Sequence, residues 1–187
     1  MEVILSGAQC TGKTSVIKAL PEEYKPFCIR EIIRNMTEQE PSIKVNADGD
    51  GRSQERFMHE YLYLFSKYRD YISDRGLLDV VSYTLWLGRK GNLPQELFVK
   101  QYTILCEWLR THPDTIHIYF PIYFPVVNDG YRDANEDHRH IIDECIREVI
   151  DMLIVDGLWQ GYIIPDGTVQ ERVEYMIQIL ADQKNIG

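Results

Sequence analysis

The segment Gly7–Thr14, GAQCTGKT, follows the apolar run VIL and matches the spacing G-x-x-x-x-G-K-[ST] throughout. Gly7 and Gly12 allow backbone angles and a close approach that a side chain would obstruct. The amide N–H groups along Ala8, Gln9, Cys10 and Thr11 can then face a phosphate chain, helped by the positive end of a following helix. Lys13 offers a point charge to the β- and γ-phosphates, and Thr14 offers a hydroxyl to Mg²⁺. The expected cofactors are therefore ATP and Mg²⁺. The alternative is a glycine-containing turn with an incidental lysine.

A second group of residues suits phosphoryl transfer. Asp74 closes the apolar stretch DYISD, where a carboxylate can hold the Mg²⁺ hydration shell or accept the nucleophile's proton. It could equally cap the next helix, near GLLD. Arg75 beside it can bind the acceptor or the moving phosphoryl group. Arg132 and Arg139, seven apart in DGYRDANEDHR, are expected on a lid over about residues 129–139, where cations meet the charge on the equatorial oxygens. The competing reading is a solvated loop whose acids cap a helix.

These residues need elements to carry them. The chain of 187 residues is 44% hydrophobic and 26% charged, the profile of one soluble domain over 1–187. A formal charge of -9 argues against coating nucleic acid by bulk charge. Four cysteines without a CxxC pair read as reduced thiols, and no apolar run is long enough to span a bilayer. The expected compartment is the cytoplasm, that of a host cell if the chain is phage-encoded. Strands are predicted at VILS, KPFCIRE, DYISD, TIHIYF and YII, and an exposed loop at PSIKVNADGDG. Helices are predicted at KTSVIKAL, Ser53–Lys67, LLDVVSYTLWLGR, PQELFVKQYTILCEWLR, DANEDHRHIIDECIREVIDML and the last segment, which Thr168 and Glu171 open as a capping box. Alternation of this kind implies an α/β three-layer sandwich with a mostly parallel sheet, a P-loop NTPase fold with its ligands at the strand ends. No N-K-x-D motif marks a guanine-specific switch, and the chain is too short for a large motor.

GAQCTGKT, IREIIR, YISDRGLLDVVSYT and NDGYR together resemble small P-loop kinases: the AAA_28 proteins, relatives of nicotinamide-riboside kinase, and more remotely thymidylate kinase. The resemblance implies that the Arg30–Glu31–Arg34 region faces the acceptor, with Glu31 a rival to Asp74 as general base; the alternative is an Arg–Glu–Arg cluster at the surface. It also implies that Gln54 could read a base edge, as glutamines do in related nucleoside kinases; the alternative is a polar residue at the start of a helix. Tyr61, Tyr68, Trp86 and Phe120 are stacking candidates, although aromatics at such spacing usually pack in cores.

Arg30, Arg34, Arg52, Arg56, Arg69 and Arg75 cluster in the first half, which suggests an acceptor carrying phosphate. The expected partner is a small nucleotide or nucleoside, most simply a (deoxy)nucleotide. Two alternatives stand beside it: a kinase of hydroxymethyl-pyrimidine bases in phage DNA, and a regulator that binds nucleotide with slow or no hydrolysis. No membrane partner is expected, and the sequence leaves the oligomeric state open.

Overall fold

The computed structural model describes residues 1–29, 32–125 and 136–184. Five strands form one parallel sheet: β1 (Glu2–Ser6), β2 (Cys28–Ile29), β3 (Tyr71–Asp74), β4 (Ile116–Tyr119) and β5 (Tyr162–Ile163), in the order β2-β3-β1-β4-β5. The helices are α1 (Lys13–Ala19), α2 (Ile32–Gln39), α3 (Gly51–Lys67), α4 (Leu77–Arg89), α5 (Gln95–Thr111), α6 (Glu136–Val155) and α7 (Val169–Lys184). The chain order of β1 at the centre, flanked by β3 and β4, brings the tips of three strands together. Leu5 pairs with Asp74 and Ser6 with Tyr119, so the carboxylate at the end of β3 stands beside the turn that leaves β1.

Both faces of the sheet are buried, and alternation along each strand divides the residues between them. Val3, Leu5, Ile72, Ile116 and Ile118 join Val16, Ile17, Val173, Met176 and Leu180 under α1 and α7. Ile4, Tyr71 and Tyr119 join Phe57, Phe65, Leu78, Leu105 and Ile146 under α3 to α6. This is the three-layer α/β sandwich expected from the alternating pattern. Among the described residues, no helix is long and apolar enough to cross a membrane.

Most predicted elements are present. The strand expected over KPFCIRE is reduced to Cys28–Ile29, because Lys25–Phe27 form a 3-10 turn with proline in its first positions. The helix α2 was not anticipated; its eight residues make barely two turns, in which Ile32, Ile33 and Met36 are the apolar positions against the core, a pattern too short to separate from a loop. The last helix starts as predicted: Thr168 N–H donates to Glu171 Oε2 at 2.7 Å, and Glu171 N–H donates to Thr168 Oγ1 at 3.2 Å.

Candidate active site

The turn from β1 into α1 is tight. Gly7 has φ 153°, and a Cβ there would come within 2.5 Å of the Phe120 carbonyl oxygen. Gly12 has φ 93° and caps α1 in the left-handed region. Between them Cys10 also adopts a positive φ, 58°, an unusual cost for a residue with a side chain. The Lys13 ammonium folds over this turn and donates to Gly7 O (2.7 Å), Ala8 O (2.8 Å) and Thr11 Oγ1 (3.2 Å). Thr14 Oγ1 donates to Asp74 Oδ2 at 2.9 Å, so the two groups assigned to a metal are in direct contact.

A cavity of about 660 Å³ opens over this turn. Gln9 to Thr14 form part of its wall, together with Asp74 and Arg75. Ser15 and Lys18 of α1, Phe124, Gly167, and Val169 and Arg172 of α7 also line it. So do Ile32, Ile33 and Arg34 of α2 and Gln54, Phe57 and Tyr61 of α3. A hydroxyl, one carboxylate and phosphate oxygens, with water completing the shell, are the ligand set that Mg²⁺ prefers. Thr14 and Asp74 fit that role. Among the described residues no cluster of three or more His, Cys, Asp or Glu could hold a metal by itself.

Asp79, one turn into α4, is a buried carboxylate at the site that the sequence reading did not single out. Its carboxylate is 2% exposed and accepts hydrogen bonds from Gly7 N–H (3.2 Å) and Gly76 N–H (3.2 Å), with Arg75 Nη1 at 3.4 Å. It therefore ties the first residue of the phosphate turn to Arg75 and to the start of α4. The signal was present as an Arg–Asp pair four apart within DRGLLD, next to a buried strand end. Burial alone would lower the Arg75 pKa, but Tyr83, Asp79 and Asp74 around it outweigh that effect and hold the guanidinium firmly charged. Burial, with the Asp79 charge adding to it, pushes the Tyr61 phenol far up, so Tyr61 stays protonated.

The expected site residues separate as follows. Gly7 and Ala8 form the base of the turn, while Gln9, Cys10, Thr11, Gly12, Lys13, Thr14, Arg34, Gln54, Asp74 and Arg75 line the cavity. Gln54 is buried on α3 next to Thr84, whose hydroxyl lies 3.3 Å from its Oε1. Arg30, Glu31 and Arg132 lie outside the described residues, as do positions 129–135 of the expected lid. Arg139 is fully buried, and its Nη2 donates to the carbonyls of Cys10 (3.3 Å) and Phe124 (2.8 Å), a grip on the backbone of the turn.

The arginine cluster is dispersed: Arg52 and Arg56 pair with Glu40 at the surface, Arg69 is exposed, and Arg34 and Arg75 line the cavity. Of the aromatics, Tyr61 lines the cavity, Phe120 lies buried beneath Gly7, Trp86 packs on His138 at 4.5 Å, and Tyr68 is exposed. Arg172, in the first turn of α7, lines the cavity with no motif in the sequence to announce it.

Comparison with known proteins agrees with this geometry. A family profile described as an AAA domain, AAA_28, matches residues 2–172. No match is found among curated protein sequences. Deoxyadenosine kinase from M. mycoides, solved with the products dCMP and a flexible dCDP bound, superposes with a TM-score of 0.65 at 13% identity, covering 97% of this chain and 100% of that one. A NadR protein in complex with NR gives 0.66 at 17% identity, covering 99% of this chain and 52% of that one. A NadR protein with NAD and AMP-PNP gives 0.62 at 17%, with 99% and 49% covered, so this chain spans about half of the NadR length. These likenesses show a P-loop fold of the nucleoside-kinase kind.

Proposed function

The chain belongs to the AAA_28 family of AAA domains, and from that premise we propose that it is a phosphotransferase. It moves the γ-phosphoryl group of ATP to a hydroxyl or phosphate of a free nucleoside or nucleotide. The observation that carries this reading is a cavity in which the phosphate turn and the Thr14–Asp74 pair share the wall with residues of α2 and α3. A protein that only binds or hydrolyses nucleotide has no use for that second set of lining residues. It combines the apolar Ile32, Ile33 and Phe57 with one buried amide, Gln54, and it suits a heterocyclic base. Gln54 presents both a donor and an acceptor, which a base edge can satisfy together.

Lys13 and the loop N–H groups hold the triphosphate tail. Mg²⁺, when bound through Thr14 and Asp74, neutralises charge on the β- and γ-phosphates. The acceptor oxygen forms its bond to the γ-phosphorus as the bond to the β–γ bridging oxygen breaks and ADP departs. The acceptor's proton passes to a carboxylate. Asp74 is engaged with Thr14 and suits the metal side, which gives the proton to Glu31. Arg75, held charged in the cavity wall, meets the developing negative charge. Arg132 joins it in this reading.

Arg52 and Arg56 share the single carboxylate of Glu40 at the surface, and among the described members of the cluster Arg34 and Arg75 line the cavity, fewer than a nucleic-acid groove calls for. Transfer of γ-labelled phosphate from Mg·ATP to a panel of deoxynucleosides, mononucleotides and hydroxymethylated DNA tests the proposal. Label is expected on one class of free nucleoside or nucleotide. Label on DNA alone would transfer the assignment to the DNA-kinase alternative, and release of free phosphate with every acceptor would leave the regulator.

A further inference from the structure

Two buried guanidinium groups pack against the phosphate turn, and the chemistry above uses neither. Arg139 on α6 holds the Cys10 carbonyl at 3.3 Å and pairs with Glu136 at 3.2 Å. Arg172 on α7 donates from Nη1 to the Thr11 carbonyl at 3.2 Å and pairs with Asp166 at 3.5 Å. Relative exposure is 0% for Arg139 and 2% for Arg172. Phe124 lies between them, its ring centre 5.8 Å from the Arg139 guanidinium and 5.1 Å from that of Arg172. Two long cationic side chains from two different helices thus converge on two successive carbonyl oxygens of one loop.

A trans peptide unit is planar, and its C=O and N–H point in opposite directions. Turning the Cys10 carbonyl toward α6 therefore aims the Thr11 N–H the other way. Turning the Thr11 carbonyl toward α7 does the same for the Gly12 N–H. Neither N–H donates to another group among the described residues. The turn needs such restraint, because Cys10 sits at a positive φ of 58°, a conformation that persists in a residue with a side chain only where the surroundings hold it. At Gly12, a Cβ would come within 3.2 Å of Arg172 Nη1, so glycine also admits the guanidinium to its place.

We propose that Arg172, with Arg139 beside it, is a positioning residue for the phosphate loop: by holding the Thr11 and Cys10 carbonyls, the pair keeps the Gly12 and Thr11 N–H groups turned toward a triphosphate. The inference rests on the reading of this loop as a triphosphate site. Calorimetry of the full chain with inorganic tripolyphosphate and with a non-hydrolysable ATP analogue tests it, comparing wild type with Arg172→Met and Arg172→Lys. Methionine keeps most of the apolar stem and removes the donors. It is expected to weaken both ligands roughly tenfold or more, with lysine in between.

A loss confined to the ATP analogue would mean that Arg172 acts on the base, and it would overturn the proposal, as would unchanged affinity for both ligands. Should Arg172→Met fail to fold, ¹H–¹⁵N residual dipolar couplings of Thr11 and Gly12 in the wild type decide. Couplings that match carbonyls turned toward α6 and α7 support the proposal; flipped or averaged peptide planes overturn it. A wild-type chain that binds neither tripolyphosphate nor the analogue would instead remove the triphosphate reading itself.

Discussion

Arg75 has a φ of 88°, a region that side-chain-bearing residues seldom occupy. Its backbone is fixed there by its N–H donating to Leu5 O at 2.8 Å and by Ser73 Oγ donating to its carbonyl at 2.7 Å. Such strain persists only where the surroundings over-determine it, and it tends to gather at functional sites. Asp79 supplies part of that determination. Replacing Asp79 by alanine leaves the Gly7 N–H, the Gly76 N–H and the Arg75 guanidinium without their shared acceptor, so unfolding free energy is expected to fall by about 3 kcal/mol. Urea unfolding of Asp79→Ala and Asp79→Asn checks this; asparagine keeps an oxygen and should lose less. Equal stability of Asp79→Ala and wild type would contradict the role. Lys13→Ala is expected to cut transfer by about 10²-fold or more with the far-UV circular dichroism unchanged, and unaltered turnover would remove Lys13 from the chemistry.

The strand β4 illustrates what burial does to one element. His117 points into the α5 side of the core between Trp108 (5.9 Å) and Trp159 (5.8 Å), with neither ring nitrogen hydrogen-bonded among the described residues. Burial pushes its pKa down to about 4 from an ordinary 6.5. The folded state therefore holds His117 neutral while the unfolded chain protonates it. Stability from this residue is intact above about pH 6.5 and is lost as the pH falls toward 4, at most about 3 kcal/mol over that window. Denaturant titrations at pH 7 and pH 4.5 should show the drop, and His117→Leu should flatten it. A drop of the same size in that variant would assign it to other groups.

At the scale of the molecule, ligand binding should report itself as stability. A site that grips nucleotide only when folded raises unfolding free energy by about 2.7 kcal/mol at a hundredfold excess over Kd. For a chain of this size that corresponds to a melting shift of roughly 5–10 °C. Mg·ATP should produce it in scanning calorimetry, and Asp74→Ala should remove the part of the shift that depends on Mg²⁺. A wild-type melting temperature indifferent to Mg·ATP would argue against the site as a whole.

The sequence by itself determined the phosphate turn, because glycine and lysine at fixed spacing act on their own backbone, and the alternating layers, because periodicity is a local property. It located Asp74 for the same reason, at the end of an apolar strand. Only the tertiary structure decided which arginines serve the cavity. Arg52 and Arg56 found Glu40, twelve or more residues away, while Arg172 crossed 161 positions to reach the Thr11 carbonyl. Asp79 likewise meets Gly7 across 72 positions. A charged side chain takes its role from the partner that folding brings to it, and no spacing along the chain encodes that partner.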